Sequence, residues 1–537
     1  MISRPALAWA TVLPIAAITV IPVAVLATSL LNPDQEIWRH LLQFVLPELL
    51  ANTVWLVLGV GLGVTLLGVS LAWLTAACEF PGRAFFNWAL LLPLALPAYI
   101  TAFVWIGLFD FTGVVQVWLR DAWSIDWRFP IRSRGGVILV MILALYPYVY
   151  LTARAAFLGQ GGRMLEAAQT LGISRTKAFF RVALPIAYPG IMAGVLLALM
   201  ETLADFGAVS VFNYNTFTTA IYKTWYSLFS LQTASQLATL LALFVFALVL
   251  AETHIRRARS RVNAARESGR MPRMPLAGWR CWLAAGWCML VFLLAFALPV
   301  AQLAFWAAQV FASDFDERYI GFAMHSLLLS GMGALLVVIL AVALGYAQRL
   351  WPARGLRMMA KLAILGYALP GAVLAVGFFI PVAWLDNRLI EVLASLDVER
   401  SQVLGGTLLV MLLAYCARFL AVGFGPVEAG LARISLAMDE VAQSLGITGR
   451  ERLWRVHLPM LRVSLLTAAA LAFVDIMKEL PITLMTRPFG WDTLAIRVFE
   501  MTSEGEWLRA SLPAIVIVLA GLLPVFFLIR NADHAHT

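Results

Sequence analysis

Glu201 and Asp205 lie four residues apart in one apolar stretch, and Asp475 and Glu479 lie four apart in another, with Lys478 beside them. Residues four apart share a face of a helix, and ionisable groups inside an apolar helix are costly enough to mark a functional site. A shift of 274 positions carries Glu201 onto Asp475 and Asp205 onto Glu479. Four carboxylates facing one axis would offer hard oxygen ligands, suited to a small, highly charged cation. Two plainer readings use the same residues: a rim at the outer end of the stretch that meets a partner's surface, neutralised by Lys478 and Arg487, or simple structural pairing. Cys78, Cys281, Cys288 and Cys416 form no CxxC pair and sit in or beside apolar runs. The histidines are scattered, His457 reading as a surface residue, so no firm metal site emerges. Nothing here suggests an enzyme, and no bound cofactor is expected.

The elements that must position these charges are too apolar for a soluble fold. Of 537 residues 62% are hydrophobic and only 13% charged, against about 25% charged in soluble domains. Runs of about 20 apolar residues mark membrane spans. They fall near 8–30, 52–77, 86–109, 136–158, 188–206 and 232–252, then near 281–310, 324–348, 360–384, 404–425, 461–482 and 508–529. The first run is longer than the apolar core of a cleaved signal peptide and reads as a span. The net charge of +9 is not gathered on one face but recurs at the ends of apolar runs, which points to membrane topology and lipid rather than nucleic acid. Both termini are expected on the cytoplasmic side, with Lys and Arg more frequent in the loops that this places inside and Lys478 as the one basic residue within a span. The outer loop with Arg120, Arg128, Arg132 and Arg134 runs against that count. Residues 256–280, with eight arginines and two prolines, read as a basic cytoplasmic linker between halves at 1–255 and 281–537.

The halves repeat. Glu-Ala-Ala-Gln-Thr-Leu-Gly-Ile-Ser at 166–174 recurs as Glu-Val-Ala-Gln-Ser-Leu-Gly-Ile-Thr at 440–448, and Leu184-Pro185 recurs as Leu458-Pro459. Ala95-Leu96-Pro97 pairs likewise with Ala368-Leu369-Pro370. Six spans per half put both copies the same way up, so the chain is a parallel duplication with a pseudo-twofold axis along the membrane normal. The repeated segments, 163–187 and 437–461, have apolar residues at helical spacing and a glycine, Gly172 or Gly446, where the helix must end or bend. Each reads as short amphipathic helices across the cytoplasmic face. One such helix is commonly an interfacial anchor; two in matching positions ask for one purpose served twice.

These segments carry a resemblance. Glu166, Ala168, Gly172, Leu184 and Pro185, and then Glu440, Ala442, Gly446, Leu458 and Pro459, are similar to the coupling segment of permease subunits of binding-protein-dependent ABC importers, with Val441 in place of the middle alanine. The resemblance implies an all-α polytopic fold, the type I importer permease fold, with about twelve spans in two tandem six-helix repeats. It also implies a homodimeric cytoplasmic ATPase as partner, docked on both segments and using the ATP, an extracytoplasmic solute-binding protein, and the bacterial inner membrane as location. The chain has no GxxxxGK[ST] phosphate loop, so the nucleotide site is expected on another polypeptide. Glu201 to Ser210, Phe217 to Tyr222, Asp475 to Thr483, Arg487-Pro-Phe489 and Asp492 to Arg497 resemble the iron(III) importer permeases with two fused halves. That resemblance implies iron(III) as the solute and Glu201, Asp205, Asp475, Lys478 and Glu479 as its pathway. Thiamine or another small cation, or an ion-coupled secondary transporter, are the alternatives left open.

Overall fold

The computed structural model describes residues 4–31, 35–124, 130–159, 170, 174–263, 273–396 and 402–534. Among these, eleven helices are long and apolar enough to cross a membrane. A twelfth, Trp507–His534, has a described apolar stretch ending at Leu522. The six helices of the first half are Arg4–Thr28, Leu46–Ala77, Ala98–Phe109, Arg134–Leu158, Leu184–Ala204 and Leu231–Asn263. Those of the second half are Trp279–Asp314, Glu317–Leu350, Gly371–Ala394, Leu408–Arg433, Leu458–Met477 and Trp507–His534. The sixth runs well past the expected 252. The one described sheet is a parallel pair of two residues each, Cys78–Glu79 with Met274–Pro275, which ties the end of the linker to the end of the second span.

Prolines shape these helices in two ways. Four turns of π-helix, Leu41–Val45, Phe179–Ala183, Leu293–Ala297 and Leu453–His457, each run directly into a Leu-Pro pair. A helical proline lacks an N–H and its ring clashes with the carbonyl four residues back. The chain widens by one residue there: Leu184 N–H donates to Phe179 O and Leu458 N–H to Leu453 O, five residues back. Elsewhere proline stops the helix outright. The third and ninth spans, expected as continuous runs at 86–109 and 360–384, are each interrupted. Leu96 and Leu369 are extended, at ψ 118° and 136°, because the residue before a proline is driven out of the helical region. The new helices begin directly after Pro97 and Pro370.

Within each half the second span packs along the fourth. In the first half glycine permits this approach: a Cβ at Gly59, Gly63 or Gly68 would lie 2.7, 2.1 or 2.7 Å from Ile138, Ile142 or Val149. Small residues bring membrane helices within reach of backbone-level van der Waals contact. The first span of each half, however, lies against the other half. Arg4–Thr28 packs on the eighth, ninth and tenth spans, with Thr19 Oγ1 donating to Ala363 O at 2.9 Å. Reciprocally, Trp306 of the seventh span is buried with Tyr99 and Phe103 of the third. Trp287 Nε1 donates to Ser70 Oγ at 3.2 Å. The halves are clasped by exchanged helices, with a cavity left between them.

Candidate functional site

The cavity, about 320 Å³, is lined from the first half by Tyr99, Tyr148, Glu201 and Asp205, and from the second by Tyr367, Arg418, Asp475, Lys478 and Glu479. All five residues expected on the pathway therefore border one space. Their expected helical register is not what brings them there. The fifth helix ends at Ala204 and the eleventh at Met477, so Asp205 and Glu479 lie beyond the helices and do not share a helical face with Glu201 and Asp475. Pro481 cannot continue the eleventh helix inward. Asp205 and Glu479 instead serve the short helices that follow, Gly207–Val211 and Pro481–Thr486. Asp205 Oδ1 accepts from Val209 N at 3.1 Å and Glu479 Oε1 from Ile482 N at 3.0 Å, satisfying first-turn amides that have no partner within the helix. Thr218 and Thr483 hydroxyls donate to the backbone carbonyls of Asp205 and Glu479, at 2.7 and 2.8 Å. The two copies of the repeat thus share a cap as well as a charge.

The cations break the symmetry. Lys478 Nζ lies 2.7 Å from Asp475 Oδ1, and Arg418 Nε lies 3.4 Å from Glu479 Oε2. Arg418 Nη1 also donates to Leu369 O at 2.6 Å, the carbonyl exposed by the break before Pro370. Shifted by 274, Arg418 and Lys478 fall on Ala144 and Ala204, so the second half supplies both cations. Lys478 is accordingly not the one basic residue within a span: Arg418, in the middle of the tenth and only 8% exposed, is another. A lone arginine amid 404–425 is the sequence signal that points to it. No cation among the described residues lies within ion-pair distance of Glu201, although Arg418 and Lys478 are near enough to act on it electrostatically; its one hydrogen bond among the described residues comes from Tyr367 of the other half, at 3.3 Å. Among the described residues no group of three or more Asp, Glu, His or Cys is placed to hold a metal ion.

At one end of the bundle lies the second repeated segment: a helix Leu436–Ser444, Gly446 at φ +77°, a short helix Gly449–Arg452, and the π-turn into Leu458-Pro459. His457, expected at the surface, is fully buried and its Nε2 sits 2.7 Å from Asp439 Oδ1. Arg349, from the end of the eighth span, puts Nε and Nη2 on Asp439 Oδ2 at 2.9 and 2.8 Å and reaches the carbonyls of Leu431 and Ile434. Burial alone would raise the pKa of Asp439. Hydrogen bonds from Arg349 and His457, with the charges of Arg349 and Arg452, outweigh it and hold the carboxyl below the usual carboxylate range. Around this anchor Met438, Val441, Ala442, Leu445, Ile447 and Val456 line an apolar hollow of about 330 Å³. Glu440 and Leu445 are exposed, Leu445 by 71%. Of the first segment, Glu166, Ala168 and Gly172 lie outside the described residues, while Leu184 and Pro185 open the fifth helix. Phe180 and Trp454, equivalent positions of the two π-turns, are each 60% exposed.

Comparison with known proteins agrees with this architecture. Residues 65–251 match the family described as binding-protein-dependent transport system inner membrane component. The Fe(3+)-transport system permease protein FbpB 2 of Haemophilus influenzae is 30% identical over 491 residues, covering 90% of each chain. The probable ABC transporter permease protein y4fN of Sinorhizobium fredii is 24% identical over 525 residues, 90% of this chain and 88% of that one. The molybdenum transport system permease protein ModB of Escherichia coli is 33% identical over 148 residues, 28% of this chain and 63% of its own length.

Proposed function

Because this chain belongs to the binding-protein-dependent inner membrane components, the permease subunits of ABC importers, we propose that it passes iron(III) from an extracytoplasmic binding protein to the cytoplasm, driven by a separate ATPase. The observation that carries the reading is the acid-bordered cavity between two halves of a chain that aligns along 90% of its length with an Fe(3+)-transport permease. Four carboxylates against two cations leave the cavity an excess of negative formal charge, which favours entry of a cation. The lack of a three-ligand set among the described residues suits a path, since a site that must release its cargo cannot bind it as tightly as the protein that delivers it.

Coupling falls to the two repeated segments, which supply Glu440, Ala442, Gly446, Leu458 and Pro459 in the second half and Glu166, Ala168, Gly172, Leu184 and Pro185 in the first. The apolar hollow and the exposed Leu445 offer the kind of surface a protein partner covers. Two such segments in one chain match a twofold ATPase dimer, which hydrolyses the ATP; this chain needs no nucleotide of its own. The segments then face the cytoplasm, as do both termini and the linker around 256–280. Two of the outer arginines that run against this orientation are locally engaged: Arg132 Nε meets Asp110 Oδ2 at 3.0 Å, and Arg120 Nη1 donates to Phe111 O at 2.9 Å.

The test is uptake of radiolabelled iron(III) into liposomes holding the whole importer, with the binding protein outside and ATP inside. ATP-dependent uptake, lowered at least several-fold in Glu201→Gln and Asp475→Asn although the ATPase still assembles, is the expected result. Uptake without ATP, or an ATPase stimulated by thiamine and indifferent to iron, overturns it.

A further inference from the structure

The helix Arg354–Ala363 joins the eighth span to the ninth and buries Leu356, Ala360 and Ala363. Its opposite face carries Arg354, Arg357 and Lys361, all exposed, at steps of three and four residues that make them neighbours on one side of the helix. Met358, 62% exposed, stands among them. Among the described residues none of these cations has an ion pair. No Asp or Glu occurs at 318–385 or at 1–33, the stretches that contain the helix and the span it packs on. The matching helix of the first half, Arg83–Ala89, differs: its one cation, Arg83, pairs with Glu79 at 3.2 Å, and its exposed large side chains are Phe85 and Trp88. Uncancelled positive charge is thus a property of the second copy.

The helix also adjoins surface of the kind that meets lipid. It packs on the first span, where a Cβ at Gly355 would lie 3.3 Å from the Trp9 ring. Leu13 and Val20 continue the Trp9 face of that span at helical spacing, and both are exposed. Trp351, exposed as well, precedes the helix; tryptophan collects at the level of the headgroups. A basic face with an apolar residue in its middle, beside an apolar stripe running along a span, suits a molecule with an anionic head and hydrocarbon tails.

From this juxtaposition we propose that the helix Arg354–Ala363 seats an anionic phospholipid, with its phosphate against Arg354, Arg357 and Lys361 and its acyl chains along Leu13 and Val20. Anionic headgroups attract basic segments at the membrane surface. The seat lies at the end of the bundle where Arg349 meets the second repeated segment, the end placed in the cytoplasm above, and it does not depend on which solute is carried. It also reaches the cavity. The turn that follows, Ile364–Ala368, carries Tyr367, whose hydroxyl donates to Glu201, and leads to Leu369, whose carbonyl accepts from Arg418. A lipid that fixes the helix steadies that wall.

Native mass spectrometry of the whole chain, equilibrated with mixed micelles of phosphatidylglycerol and phosphatidylcholine, tests it. Phosphatidylglycerol should be retained preferentially, and Arg354→Gln, Arg357→Gln and Lys361→Gln should each weaken that retention about fivefold. Arg354→Lys combined with Arg357→Lys keeps the charge and should keep the lipid, which separates lost attraction from lost folding. Phosphatidylglycerol should also raise the midpoint of thermal unfolding, and the triple glutamine variant should lose that rise. Equal retention of the two lipids, or phosphatidylglycerol retained undiminished by all three glutamine variants, overturns the proposal. So does a triple variant that keeps the lipid but no longer co-purifies with the ATPase, which would make the basic face a protein contact. No readout uses iron, so each of these outcomes leaves the iron(III) reading untouched.

Discussion

Asp439 joins the eighth span to the second repeated segment through one carboxylate shared by Arg349, Arg452 and His457. Its side chain is 14% exposed, so removing the charge strands Arg349 in a poorly solvated place. Breaking such a pair by deleting one partner costs about 3–5 kcal/mol when fully buried, and somewhat less here. Asp439→Asn should therefore loosen the segment, lowering ATPase association and the midpoint of thermal unfolding. Because the folded pKa lies below the unfolded one, this stabilisation is fully present above the unfolded value, about 3.9, and is lost as pH falls through the folded value. Complexes titrated downward should thus hold at pH 5 and separate only below about 4, whereas Asp439→Asn complexes should show no such acid step. Gly446 is a different case. At φ +77°, with nothing within 4 Å of where a Cβ would stand, its need for glycine is conformational and not steric. Gly446→Val should cost about 1–2 kcal/mol in the turn, and we expect ATP hydrolysis to persist while uptake falls. Equal uptake in the variant would remove the turn from the coupling path.

Among elements, the π-turns stand where the repeated segments run into the fifth and eleventh spans. Pro185 and Pro459 stand two residues after turns that hold an extra residue, Phe179–Ala183 and Leu453–His457. Each lies between a repeated segment and the helix that brings Glu201 or Asp475 to the cavity. Restoring the N–H with Pro459→Ala allows an ordinary turn, which would rotate everything before it by about 100° relative to the span, one residue's worth of an α-helix. The exposed Trp454 and the His457–Asp439 contact cannot both keep their places under that rotation. We expect Pro459→Ala to assemble with the ATPase yet hydrolyse ATP with little uptake; a ratio of uptake to hydrolysis equal to the unmodified protein would show that the π-turn only accommodates proline.

For the whole molecule, exchange of the first spans makes the halves mutually dependent. Ala8, Val12, Ile15 and Ala16 are buried against Ala341, Leu344 and Leu420 of the other half. Removing residues 1–28 should accordingly destabilise the second half more than the first, read as earlier proteolysis within 317–433. Halves produced as separate chains, divided between Asn263 and Arg273, should still co-purify, because the exchanged helices hold them and not the peptide bond. Separation of such halves in mild detergent would mean that the interface depends on the linker.

The sequence by itself determined the class of the molecule: spans from apolar length, duplication from the repeated segments at a shared offset, and the ends and bends of those segments from their glycines and prolines. These are local or periodic properties, written into composition and spacing. It also pointed to every carboxylate of the cavity, because charge within an apolar run is conspicuous. Their arrangement was not legible there: apolar runs suggest helices continuing past Ala204 and Met477, whereas capping by Asp205 and Glu479, and the proline at 481, end them. What only the tertiary structure decided were pairings between residues distant in the chain: Arg418 with Glu479, Tyr367 with Glu201, Asp439 with Arg349, and the first span of each half on the other. Their partners are chosen by how helices stack around a shared axis, and no period within a single helix records that choice.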